Sequence, residues 1–151
     1  MVLDTWNSKI KEADALLDNL TDEQLQNEVS PGRNRGVYLL GHLTSVHSRM
    51  LPLLNLGEEM YPQLADSFIT NADKTKPLTI TASELRQQWK NINSTLATHF
   101  SKISADEWFQ KHNSISAEDF QKEPHRNRLN IVINRTNHLS YHTGQLAFLK
   151  K

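Results

Sequence analysis

Four segments of the chain carry apolar residues at spacings of three and four, and that rhythm admits few folds. Leu3, Trp6, Ile10, Ala13, Leu17 and Leu20 form the first series, with Lys9, Lys11, Glu12 and Asp18 elsewhere on the wheel. A second helix is expected from about Arg35 to Leu54, rich in leucine and kinked or ended by Pro52. Leu85, Trp89, Ile92, Leu96 and Phe100 give a third, and the last runs from about Arg126 to Leu149. Thr21 and Thr81 each open a capping box, and Ser104 repeats the pattern of the short turn at Thr21. Ser30-Pro31-Gly32 breaks the chain between the first two helices. Gly57 to Pro77 reads as a long connection with a partial turn around Tyr61 to Ile69, of a length that is often functional or crosses a bundle. His112 to Pro124 is polar and reads as loop. The β-branched runs are short, so little sheet is expected. The expected architecture is all-α: a four-helix bundle in one domain, residues 1–151, with a long connection between helices 2 and 3.

Charge removes several functions. Lys plus Arg and Asp plus Glu are both 17, which leaves no basic footprint for nucleic acid and no polybasic patch for a membrane surface. Cysteine is absent, so there is no disulfide, no thiolate nucleophile and no sulfur ligand. Any metal site must use nitrogen and oxygen. Met1 to Trp6 lacks the charged and apolar regions of a signal peptide, and no apolar run is long enough to span a bilayer, so a cytoplasmic protein is expected.

Within the last segment His138 and His142 stand four residues apart, one above the other on a helix face. Two imidazoles so placed can grip one ion without distorting the backbone. On the wheel they share a face with Ile131, Leu146 and Leu149, which should point inward, and two buried imidazoles each need a partner. The plain alternative is a pair of core histidines bonded to backbone or solvent. A third ligand must come from another helix, and the second offers His42 and His47. His47 lies well inside the apolar arc that runs from Val46 to Leu51, whereas His42 sits at its edge, with Thr44, Ser45 and Ser48 on the polar side. Periodicity leaves both open. His99 is near the end of the third helix, where a cation suits the helix dipole, and His112 and His125 read as surface residues.

Gly41-His42-Leu43, followed far downstream by His138-Leu-Ser-Tyr-His142-Thr-Gly144-Gln145-Leu146, resembles the DinB-like superfamily over nearly the whole chain. The resemblance implies a four-helix bundle holding a divalent ion, zinc or nickel, on three residues, which here are His42, His138 and His142; His47 then has no metal role. Many relatives carry Trp-Ser or Trp-Thr at the start of the second helix, where this chain has Arg33-Asn34-Arg35-Gly36. Some relatives transfer low-molecular-weight thiols such as bacillithiol or mycothiol. The implied function is a metal-dependent enzyme acting on a small molecule: a thiol S-transferase, with hydrolysis the lesser alternative. Three imidazoles leave an open position on the ion, as in catalytic sites. Gln145 and Tyr141 would be pocket groups or would orient the ligands, with packing the simpler role for Tyr141. The rival is a non-catalytic helical module that binds a metal or ligand and pairs with itself through exposed apolar positions on the first helix.

Overall fold

The computed structural model describes residues 1–150 and is all-α. Its helices are α1 (Val2–Asp18), α2 (Asp22–Leu25), α3 (Gly36–Ser48), α4 (Met50–Leu53), α5 (Ala82–Phe100), α6 (Ala105–Trp108), α7 (Ala117–Lys122) and α8 (Arg128–Leu146). Four are long and four are short. A π-helical turn at Asp66–Thr70 interrupts the connection after α4, and a 3-10 turn at Ala147–Leu149 follows α8. Among the described residues there is no strand, and two isolated bridges join Glu28 to Arg35 and Lys111 to Asn127. α1 lies chiefly against α8 and α3 against α5, while α3 also meets α8.

The helix starts follow local chemistry. Thr21, Thr81 and Ser104 each accept from the backbone N–H three residues on, and the residue there, Gln24, Glu84 or Glu107, returns a bond to the cap's own N–H. Asn127 accepts from Asn130 N–H at 2.9 Å, so the last helix begins at Arg128, two residues later than expected. The expected second helix is two helices with a break at Arg49. Pro52 has no N–H to offer the Ser48 carbonyl, so the regular ladder stops there. Ser48 instead accepts from the Tyr61 N–H on its hydroxyl, at 2.8 Å.

The segment from His112 to Pro124 is not loop throughout. Ser116 caps α7 by accepting from Asp119 N–H at 3.0 Å. His112, expected at the surface, is 5% exposed. The bridge between Lys111 and Asn127 draws the two ends of this segment together, and the ring accepts from Ser114 N–H at 3.2 Å.

The core forms two clusters along the helices. One joins the second half of α1 to Leu39, Leu40, Phe68, Leu85, Leu139 and Leu146. The other gathers Trp6, Met50, Ile92, Leu96, Phe100 and Val132. Arg86 of α5 donates to the Leu17 and Leu20 carbonyls, each at 2.6 Å, and so closes the C-terminal end of α1. The apolar positions of the first helix, which the rival reading would use for self-pairing, are turned inward. Trp6, Ala13, Leu16 and Leu17 are buried, and Val2, Leu3 and Ile10 pack at the margin of the second cluster. Among the described residues no helix is long and apolar enough to cross a membrane.

The connection after α4 is fastened along α3. Arg35 grips Asp73 with its Nε and Nη2 atoms and its backbone N–H, the shortest contact being 2.6 Å. The Asp73 side chain is 1% exposed. Burial alone would raise its pKa, but the Arg35 bonds and charge outweigh that and hold it below the usual carboxylate value. Tyr38 donates its hydroxyl to the Asn71 carbonyl at 2.9 Å. Phe68 lies fully buried against Gly41, where a Cβ would stand 2.4 Å from the aromatic ring. Only glycine lets the connection come this close to α3.

Candidate metal centre

α3 is buried almost all round. Thr44, Ser45 and Ser48, which read as its polar side, are each 0% exposed. Thr44 satisfies its hydroxyl by donating to the Leu40 carbonyl at 2.8 Å, a bond that lets a polar residue face a core. What remains at least partly open is a single line, His42, Val46 and Arg49, at i, i+4 and i+7. On α8 the buried stripe is Val132, Thr136, Leu139, Thr143 and Leu146. His138 and His142 flank that stripe and are half-buried, as is Ile131, so the pair borders the core and does not lie within it.

α3 and α8 meet along these two lines. His42 Nε2 lies 3.1 Å from His138 Nε2, and His142 Nε2 lies 3.1 Å from the same atom. The ligand atoms of all three lie within 4.8 Å of one another, and the group could hold a metal ion. A tetrahedral zinc ion with Zn–N bonds of ~2.0–2.1 Å holds its nitrogens roughly 3.3 Å apart, close to the two separations from His138 Nε2.

The outer ring nitrogens fix the tautomers. His42 Nδ1 is 2.8 Å from the Phe68 carbonyl, which can only accept, so the proton is on Nδ1 and the Nε2 lone pair faces inward. His142 Nδ1 is 2.7 Å from Gln145 Oε1, and the same reasoning turns its Nε2 lone pair inward. Gln145 is held by donating its amide nitrogen to the Tyr141 hydroxyl at 3.3 Å. Between these two inward acceptors stands His138 Nε2. One proton on it can serve one neighbour and not both, and its Nδ1 is buried with no partner. Burial, and after it the neighbouring histidines, push His138 down to about 3; burial also lowers His142. Neutral imidazoles with converging lone pairs are what a divalent ion requires.

Tyr141 is exposed and stands edge-on to the His142 ring, with centroids 5.1 Å apart, so it belongs to the rim and not to the packing. His47 is elsewhere. It lies fully buried between Trp6 and Trp89, at centroid distances of 5.0 and 4.9 Å, and its Nδ1 donates to Asn93 Oδ1 at 2.7 Å. His99 is half-buried in the last turn of α5 and His125 is exposed, and neither joins the group. Sequence reasoning misses the Phe68 carbonyl, because a main-chain oxygen has no residue signature. The one available signal is the pair Gly41-His42, a gap beside a ligand into which the connection packs.

Beside the histidines, further toward the C-terminal end of α3, opens a cleft of ≈ 540 Å³ whose walls include Val46, Arg49, Glu59 and Arg135. No protein-family model and no curated protein matches the chain. In fold it is similar to a solved structure from Enterococcus faecalis, described as the conserved protein of a locus. The two are 12% identical with a TM-score of 0.66, over 98% of this chain and 92% of that one, a likeness of fold alone.

Proposed function

We propose that the chain is a DinB-like protein, a four-helix bundle in which His42, His138 and His142 hold one divalent ion, zinc or nickel. We further propose that it is a metal-dependent enzyme transferring a low-molecular-weight thiol to a small electrophile. The observation that supports this best is the convergence of three Nε2 atoms, two of them with the proton fixed on the far nitrogen by the Phe68 carbonyl and Gln145. Outer partners of this kind set the tautomer and orientation of metal-binding histidines.

Bound there, an ion supplies a Lewis acid that favours thiolate over thiol near neutral pH. The protein's own groups do the rest. The Phe68 carbonyl and Gln145 keep two rings from rotating, and burial keeps His138 neutral and ready to ligate. The connection after α4 covers the outer side of His42 through the Phe68 carbonyl, and Tyr141 stands exposed beside His142.

The test is metal analysis of protein purified without a histidine tag. About one ion per chain is expected, lost in His42→Ala, His138→Ala and His142→Ala and kept in His47→Gln. A wild-type protein that takes up no zinc or nickel, or a His42→Ala protein that keeps it, overturns the centre. Thiol transfer by the loaded protein, absent in His138→Ala, then tests the reaction. A loaded protein inert toward thiols and electrophiles leaves a metal-binding module in place of an enzyme.

A further inference from the structure

Arg49 and Arg135 are unpaired. Among the described residues neither has a carboxylate within 4.0 Å, while nine other ion pairs form. Both arginines line the cleft beside the histidines, with Glu59, Asn113 and Ser114. Arg135 is half-buried, and burial and the neighbouring Arg49 charge both lower its pKa, so the two guanidiniums feel each other. Arg49 is exposed at the mouth and Arg135 half-buried, and two like charges on one cleft wall repel unless an anion sits between them. Two buried polar atoms in the same walls, Arg135 Nε and Glu59 Oε1, have no hydrogen-bond partner. The Asn113 side chain is committed elsewhere, donating to the Pro52 carbonyl at 2.7 Å.

Position follows from helix geometry. Arg135 precedes His138 by three residues on α8, and Arg49, the residue that caps the end of α3, follows His42 by seven. At a rise of ~1.5 Å per residue, the two guanidinium-bearing positions lie about 5 and 10 Å along the helices from the histidines. Both displacements lead into the same cleft, so α3 and α8 run in opposite directions past the site.

We propose that this cleft binds the carboxylate of a small organic acid, held between Arg49 and Arg135, whose reactive end extends to the three histidines. The inference rests on the proposed metal centre for the placement of that reactive end, but charge selectivity in the cleft is independent of it. Guanidinium forks match a carboxylate in shape. Phosphate is disfavoured by the charge balance: two guanidiniums against the Glu59 carboxyl leave one positive charge, which suits a monoanion. A chain of a few methylenes covers that axial distance, and Val46, one turn from His42, gives it apolar wall.

The experiment uses hexanoate, 1-hexanol and hexyl phosphate as probes, titrated by amide chemical shifts into the chelator-treated 151-residue chain. Hexanoate should bind at least about tenfold more tightly than hexanol, and Arg49→Gln and Arg135→Gln should each remove most of that preference. Shifts should cluster on Val46, Arg49 and Arg135. The variants' melting temperatures show that they fold, and Arg135→Lys, which keeps the charge, should retain part of the selectivity. Equal binding of acid and alcohol, selectivity that survives in both glutamine variants, or tighter binding of hexyl phosphate than hexanoate overturns the proposal. A second arm adds 6-mercaptohexanoate to zinc-loaded protein, where the thiol should strengthen binding over hexanoate in wild type and not in His138→Ala. If hexanoate selectivity holds while that gain is absent, the carboxylate site stands and the metal reading fails. If the gain is present without charge selectivity, the reverse holds.

Discussion

At the scale of single residues, His138 and His142 at the site and His47 in the core show what burial does to an imidazole. His47 is pushed down to about 4, chiefly by burial, against an ordinary value of 6.5. Its Nδ1 proton goes to Asn93, and its Nε2 is buried without a partner. Because the folded value lies below the unfolded one, the unfolded chain binds the extra proton between these limits. The favourable term is therefore complete above about pH 6.5 and is lost as pH falls toward 4. The loss from this one residue amounts to roughly 3 kcal/mol. Urea unfolding of metal-free protein at pH 7 and pH 4.5 should show most of that loss in wild type and a smaller one in His47→Gln. Part will persist, since His138 and His142 are displaced in the same direction. An unchanged pH dependence in His47→Gln would mean that the ring is not the buried neutral group described. Two glycines give a second contrast at this scale. A Cβ at Gly41 would meet the Phe68 ring at 2.4 Å, whereas one at Gly144 meets nothing within 4 Å. Gly41→Ala should cost about 1–3 kcal/mol by overpacking and pull the Phe68 carbonyl off His42. Gly144→Ala, on the exposed side of α8, should add roughly 0.5–1 kcal/mol from helix propensity. Thermal melts of the two variants should move in opposite directions. Should both move alike, the close approach at position 41 is not the constraint.

Among the elements, the connection after α4 is the least legible in sequence and the closest to the site. Its length and a turn near its middle could be read from the chain; its attachment could not. Asp73 and Arg35 are 38 residues apart, and nothing local to either announces the pair. The capped helix starts were legible because Thr-x-x-Glu and Thr-x-x-Gln act within four residues. α7 was missed although Ser116 and Asp119 carry a similar cap, since none of its six residues is buried and no apolar stripe marks it. α3 misled for the opposite reason. It is buried nearly all round, so its hydroxyl residues read as a polar side, and the choice between His42 and His47 stayed open on periodicity alone. The arginine cleft was invisible, because it exists only where α3, α8 and the chain around Glu59 and Asn113 come together. A prediction belongs to the connection. Asp73→Ala leaves Arg35 with no carboxylate partner and releases the bonds to its side chain and backbone. Loss of one partner of a buried pair should cost about 3 kcal/mol. Hydrogen exchange should rise at the amides of residues 66–76 and along the first turn of α3, and little in α1 or α5. Exchange spread evenly over the chain would show that Asp73 supports the whole fold and not this element.

For the molecule as a whole, the histidine group ties together parts of the chain that folding must bring from far apart. His42 and His138 are 96 residues distant in sequence and belong to helices that share only a limited contact. An ion bound to both exists only when α3 and α8 are docked, so its binding free energy adds to folding. Zinc at a hundred times its dissociation constant should stabilise the chain by about 2.7 kcal/mol. For a chain of this size that corresponds to a rise in melting temperature of roughly 5–10 °C. Chelation should reverse the gain. His42→Ala and His142→Ala each remove one converging lone pair, so neither variant should respond to zinc; His47→Gln should respond as wild type does. Residual binding by imidazoles in the unfolded chain reduces the shift without changing its pattern across the variants. A melting temperature indifferent to zinc and chelator, in protein shown by metal analysis to gain and lose the ion, would separate the metal from the docking of α3 on α8. The three nitrogens would then be neighbours in the fold without being joined by the ion.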